Sequence, residues 1–134
     1  MATTLYTILE SPRHPDFSAL YRRRGIRELR MNSMRKAISE LKRHPPDFVV
    51  AEFFYGYGNN YAGVNISNLD VLLYSLQRYA PQARVIVLVD KSERIHVDKL
   101  NDILPLTGIL THPAAAVELE SLLDADHGPD SSPG

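Results

Sequence analysis

The chain has 134 residues, 15 Lys or Arg against 16 Asp or Glu for a formal net charge of −1, and no cysteine. That length buries roughly two thirds of the unfolded surface in one core, and the missing cysteines exclude disulfides, thiolate chemistry and sulfur-rich metal sites, as suits a reducing cytoplasm. Apolar runs reach about five residues against the roughly 20 that cross a bilayer, and neither end reads as a signal segment, so no membrane association is expected.

Leu5, Tyr6, Thr7, Ile8 and Leu9 form an apolar run that predicts a strand buried on both faces and leading to Glu10. Pro12 and Pro15 interrupt it, and Asp16 is placed to cap a short helix that buries Phe17, Leu20 and Tyr21 and stops at Gly25. Ile26 to Met31 mixes apolar and charged residues, as an edge strand does. Asn32 or Ser33 opens a second helix with Met34, Ala37, Ile38 and Leu41 at helical spacing, and Pro45 and Pro46 prevent its extension. Between Ser11 and Pro46 stand ten Arg or Lys against three acids, a balance of +7 that leaves −8 elsewhere. Such polarity can steer a partner, although arginines on the wet faces of two helices and an edge strand account for it equally well. No basic helix with a docking motif accompanies it, so nucleic acid is not the expected partner.

Phe48 to Glu52 predicts a buried strand that ends in an acid. The next stretch, Phe53 to Asn65, holds three Gly, three Asn, three Tyr and two Phe and reads as a long loop. Its glycines do not make a dinucleotide fingerprint, because Tyr61 stands where G-x-G-x-x-G needs glycine, and no lysine follows to make a phosphate loop. Tyr55, Tyr57, Asn59, Asn60 and Tyr61 suit a protein contact more than a cofactor pocket, given the enrichment of tyrosine in interfaces. Ser67 with Asp70 resembles a capping box before a helix that presents Leu69, Leu72, Leu73 and Leu76.

Val85 to Val89 is the clearest strand, all apolar and ending at Asp90. Val97, Leu100, Ile103 and Leu104 mark a fourth helix, and Thr107 to Leu110 a short last strand. Pro113 stands where a final helix with Leu119, Leu122 and Leu123 is expected to begin. From Asp124 the chain turns polar, so residues 1–123 are expected to form the domain and 124–134 a disordered tail. Five alternations of strand and helix predict a doubly wound α/β fold with a parallel sheet and helices on both faces. In such a fold Glu10, Glu52, Asp90 and the Tyr/Gly loop gather at the carboxyl edge, where ligands bind. His14, His44, His96, His112 and His127 lack metal-ligand spacing, and no serine sits in G-x-S-x-G, so neither a metal site nor a hydrolase is expected.

Five βα units from Leu5 to Leu123, with Asp47-Phe48-Val49-Val50-Ala51-Glu52 as the third strand and Thr111-His112-Pro113 after the fifth, resemble the receiver domain of bacterial two-component response regulators. The resemblance implies a flavodoxin-like strand order 2-1-3-4-5. It puts Glu52 at the position of the aspartate that accepts a phosphoryl group, and Glu10 with Ser11 at the pair of acids that holds magnesium. It aligns Val89 with a hydroxyl-bearing residue and His112 with a lysine, while Pro113 is retained. Phosphoryl transfer depends on positioning and on cations that neutralise the phosphoryl oxygens, so a pocket lacking several of these parts should not perform it. Glu52, one methylene longer than aspartate, would instead imitate the phosphorylated state in part. The plain alternative is a strand-end acid paired with His112 or a nearby arginine.

The expectation is therefore a stand-alone, atypical receiver-like domain that is not an enzyme, holds no cofactor and acts through protein partners in bacterial signalling. By resemblance, the fourth helix, fifth strand and fifth helix, His96 to Leu123, would form a homodimer face. Two rivals stand beside it. One is a conventional phosphorylated receiver whose metal ligands come from Glu10, Asp16 or Asp90. The other is a small flavodoxin-like ligand binder that uses the Tyr/Gly loop.

Overall fold

Apolar, mostly β-branched runs make the centre of the sheet because both their faces must be covered. The computed structural model describes residues 3–9, 16–55 and 67–124. Among the described residues, β1 (Thr3–Ile8), β2 (Ile26–Met31), β3 (Phe48–Glu52), β4 (Arg84–Val89) and β5 (Gly108–Thr111) form a parallel sheet in the order β2-β1-β3-β4-β5. Every residue of β3 is buried, as are Val85 to Val89 of β4. The edge strand β2 alternates less cleanly and leaves Arg27 and Arg30 exposed, which protects an open edge from further pairing. The order and the two-sided covering are those expected of a doubly wound α/β fold.

Two helices cover one face and three the other. α1 (Ser18–Arg23) and α5 (Ala116–Asp124) pack Leu20, Tyr21, Leu119 and Leu123 on Leu5, Phe48, Val50, Ile86 and Leu88. The opposite cluster joins α2 (Met34–Glu40), α3 (Asp70–Tyr79) and α4 (Arg94–Val97) to Tyr6, Ile8, Val49, Ala51, Val85, Val87 and Val89. Full burial of each aliphatic side chain contributes about 1.5–3 kcal/mol, so the two clusters dominate stability. Among the described residues no helix is long and apolar enough to cross a membrane.

Local chemistry sets the boundaries. Ser33 caps α2 by accepting from Lys36 N at 3.1 Å, and Gly25 ends the turn after α1 at φ +70°, a conformation that costs glycine little. Asp16 accepts from Ser18 N at 2.9 Å, but Phe17 occupies the cap position, so the acid acts one residue earlier than expected. The fourth helix is not continuous: 3₁₀ turns at Lys91–Glu93 and Asp98–Asp102 flank a single α turn. Pro113 does not start the last helix, which begins three residues later; it follows His112 through a cis peptide bond, while Glu118 Oε1 accepts from Ala115 N at 3.0 Å. Gly108 meets α5 closely, since a Cβ there would lie 2.4 Å from Leu122 Cδ1. Asp124 closes α5, and the tail expected beyond it lies outside the described residues.

Candidate functional site at the carboxyl edge of the sheet

All five strands point the same way, so their last residues meet along one edge. Glu52 ends β3 opposite Leu88, with Ala51 opposite Ile8 on the other side. Alternation along the strand puts Glu52 on the face of Phe48 and Val50, toward α1 and α5. It is 1% exposed. Withdrawing a carboxylate from water costs several kcal/mol in real proteins, so its surroundings rather than solvent must hold this group.

Val89 ends β4 fully buried and opposite Thr111, and His112 N donates to Val89 O at 2.8 Å. The structure thus brings Glu52, Val89, His112 and Pro113 to one edge, with His112 half-buried and Pro113 exposed. Glu10 and Ser11 lie outside the described residues, as do Tyr57, Asn59, Asn60 and Tyr61. Asp90 caps the following 3₁₀ turn by accepting from Ser92 N at 3.0 Å and from its hydroxyl at 2.6 Å. Among the described residues no cluster of three or more His, Cys, Asp or Glu side chains is arranged to hold a metal ion.

A polar stem closes the loop that follows Glu52. Tyr55 and Ser67 form an antiparallel bridge. Asn68 accepts from Phe54 N at 2.7 Å, donates its own N–H to Phe54 O at 3.2 Å, and donates Nδ2–H to Glu52 O at 2.8 Å. Asp70 Oδ1 accepts from both the N–H and the hydroxyl of Ser67 at 2.8 Å, and Ser67 Oγ accepts from Leu69 N at 3.0 Å. Half of the expected Ser67–Asp70 box is thus present: Asp70 reaches back to the Ser67 N–H, but Leu69 and not Ser67 occupies the cap position, and the Ser67 hydroxyl accepts from Leu69 N. Tyr55, half exposed, donates its N–H to Glu93 Oε1 at 3.1 Å and stacks on His96, with ring centroids 3.6 Å apart.

A second polar cluster, which sequence reasoning missed, lies toward the β2 end of the sheet, beneath α1. Glu28 on β2 accepts from Thr7 Oγ1 and Ser18 Oγ, both at 2.6 Å, and pairs with Arg30 at 3.2 Å. Burial and the nearby Glu28 raise the Tyr21 hydroxyl well above its ordinary pKa. The Ser18 N–H and hydroxyl hold the Asp16 carboxyl below its usual range, helped by Arg30 and Arg22. Beside this cluster a cavity of about 340 Å³ opens among Thr7, Leu9, Arg30, Met31, Asn32 and Lys36. This recess lies toward β2, and Glu52 is not among the residues that line it.

No family model matches the chain, and no curated protein matches it either. Solved structures do. NtrX from Brucella abortus in complex with ADP aligns at TM-score 0.67 and 14% identity over 98% of this chain and 30% of that one. A response regulator protein from Burkholderia pseudomallei, with a phosphorylated aspartic acid, calcium ion and citrate, aligns at TM-score 0.58 and 17% identity over 96% of this chain and 75% of that one. An adenylate cyclase from Rhodopirellula baltica aligns at TM-score 0.67 and 10% identity over 93% and 87%. The chain has the fold of response-regulator receivers. At these identities the likeness extends to architecture and not to chemistry.

Proposed function

We propose that this protein is an atypical receiver-like signalling domain of the bacterial cytoplasm that works by protein contact and without a phosphorylation step. The observation that carries the reading is the end of the central strand, a glutamate that is 1% exposed, where the resemblance to receivers would put a phospho-acceptor aspartate. Its neighbour Val89 is fully buried and has no hydroxyl to follow a phosphoryl group, and His112 stands where the pattern has lysine. In this reading Glu52 supplies a fixed charge, and Glu10, Ser11, Val89, His112 and Pro113 are the remnant of a phosphorylation pocket. Partner contact falls to the surface around Tyr55 and the loop tyrosines, and to the face of α4, β5 and α5, where Ile95 and Val117 are 77% and 70% exposed.

The experiment adds magnesium and beryllofluoride, a phosphoryl mimic, while amide NMR spectra are recorded. No localised shift is expected; shifts concentrated around Glu52 and Val89 would overturn the reading in favour of a conventional receiver. In a pull-down from the source cell, Glu52→Gln is expected to weaken partner capture with little change in melting temperature. Equal capture would remove the fixed-charge role.

A further inference from the structure

Val89 leaves the end of β4 without a hydroxyl, yet the Glu52 strand end has another mechanical route to the surface. Each of the next three residues is tied down. Phe53 N donates to Leu88 O at 2.9 Å, Phe54 is held by Asn68 in both directions, and the same Asn68 holds the carbonyl of Glu52. Tyr55 then carries the chain to the start of α4, where its N–H meets Glu93 at 3.1 Å and its ring lies on His96 with the planes 14° apart. Only two residues, Phe53 and Phe54, both tied by hydrogen bonds, separate Glu52 from that stack.

The element they reach has little support of its own. Lys91–Glu93 and Asp98–Asp102 are 3₁₀ turns, and the α-helical part between them is four residues long. The hydrogen bonds of 3₁₀ turns have poorer geometry, and one α turn makes too few bonds to offset the cost of nucleating a helix. Segments of this kind open at free energies far below that of global unfolding. Val97 and Leu100 anchor the inner side, while Ile95 faces water. At its first turn, Tyr55 is a tertiary support reaching in from the strand that carries Glu52.

We propose that Tyr55 couples the Glu52 strand end to the conformation of α4, so that a change at the buried carboxyl is read on the surface around Ile95. A shift of Glu52 moves its carbonyl, the carbonyl sets Asn68, and Asn68 sets the strand position of Phe54 and Tyr55. A displaced Tyr55 uncovers one face of His96 and withdraws its N–H from Glu93, removing two contacts from an element that has few. This deepens the reading of the site as a signalling pocket by naming what the pocket regulates, and the coupling itself requires no partner.

The test uses the full chain, amide NMR and hydrogen exchange. Glu52→Gln is expected to shift the amides of Leu88, Val89, Tyr55 and Lys91–Val97. In a Tyr55→Ala background, which removes the ring and keeps the backbone N–H to Glu93, the shifts at Leu88 and Val89 remain and those at Lys91–Val97 fade, while Tyr55→Phe, which also keeps the ring, restores them. Tyr55→Ala alone is expected to raise amide exchange at Arg94–Val97 about tenfold and to leave β4 unchanged, as befits a local opening. Should Glu52→Gln reduce the folded fraction, Glu52→Met provides the second perturbation. Shifts at Lys91–Val97 that persist without the Tyr55 ring, or that never occur in the native background, would overturn the proposal. Partner capture indifferent to Glu52 would remove the fixed-charge role of the proposed function and leave this coupling standing, because no partner enters the measurement.

Discussion

α3 and α4 pack on the same face of the sheet but are held there by different means. α3 runs ten residues, buries Leu72, Leu73 and Leu76, and has its entry fixed by Ser67 and Asp70 from its own first turn and the residues just before it. α4 is a single turn between two 3₁₀ pieces, buries Val97 and then Leu100, and takes support from Tyr55, some 38 residues earlier in sequence. A helix that supplies its own contacts unfolds with the domain; one that borrows them can move while the domain stays folded.

Four measurements would break or sharpen that contrast. Leu73→Ala should show the largest effect, about 2–5 kcal/mol of global stability by denaturant unfolding, with the slope unchanged. Val97→Ala should cost less than Leu73→Ala, and an equal cost would erase the distinction between the helices. Asn68→Ala comes next at about 1–3 kcal/mol, because it strands buried backbone groups, and it should also hasten amide exchange in α4. Tyr55→Ala should cost less than about 1 kcal/mol globally, as for a surface position, with its effect confined to Lys91–Val97.

The smallest effect belongs to α2, which serves as a control. The Glu40 carboxyl is held below its ordinary value of 4.5 by the hydrogen bond from His44 at 2.9 Å, with Arg43 and Lys36 adding to the effect. Its contribution is complete above the ordinary value and is lost as pH falls through the lower folded one. Glu40→Gln should therefore flatten the acid side of the curve of melting temperature against pH, without altering exchange in α4.

The central strands are legible because burial on both faces demands unbroken apolar runs, and β3 falls where composition puts it, with Glu52 at its end; β2 is legible for the opposite reason, the mix of apolar and charged residues that suits an edge. α4 was read as an ordinary helix because Val97, Leu100, Ile103 and Leu104 are spaced by three, three and one. Steps of three satisfy a 3₁₀ turn as well as an α-helix, so only the described backbone separates the two. The last strand starts at Gly108 and not Thr107, although Thr107 N still donates to Val85 O at 2.8 Å, a boundary set by definition as much as by structure. Glu28 escaped notice because an acid in an edge strand reads as solvated; its partners Thr7 and Ser18 come from other elements, 21 and 10 residues away. His96 read as a surface histidine, and no local pattern signals that Tyr55 lies on it. Glu52, Val89, His112 and Pro113 share one edge, but sharing an edge follows from strand direction alone and leaves their chemistry to experiment.

The stem that joins Tyr55 to Ser67 also bears on how this chain can be altered. Among the described residues, Asn68, Ser67 and Asp70 hydrogen-bond the sheet edge and the helix entry from the far side of the bridge. Closing a loop twice as long costs only about 0.6 kcal/mol more. The span between the two ends of the bridge is therefore a port: peptides of other lengths and sequences can be grafted there at small cost to the fold.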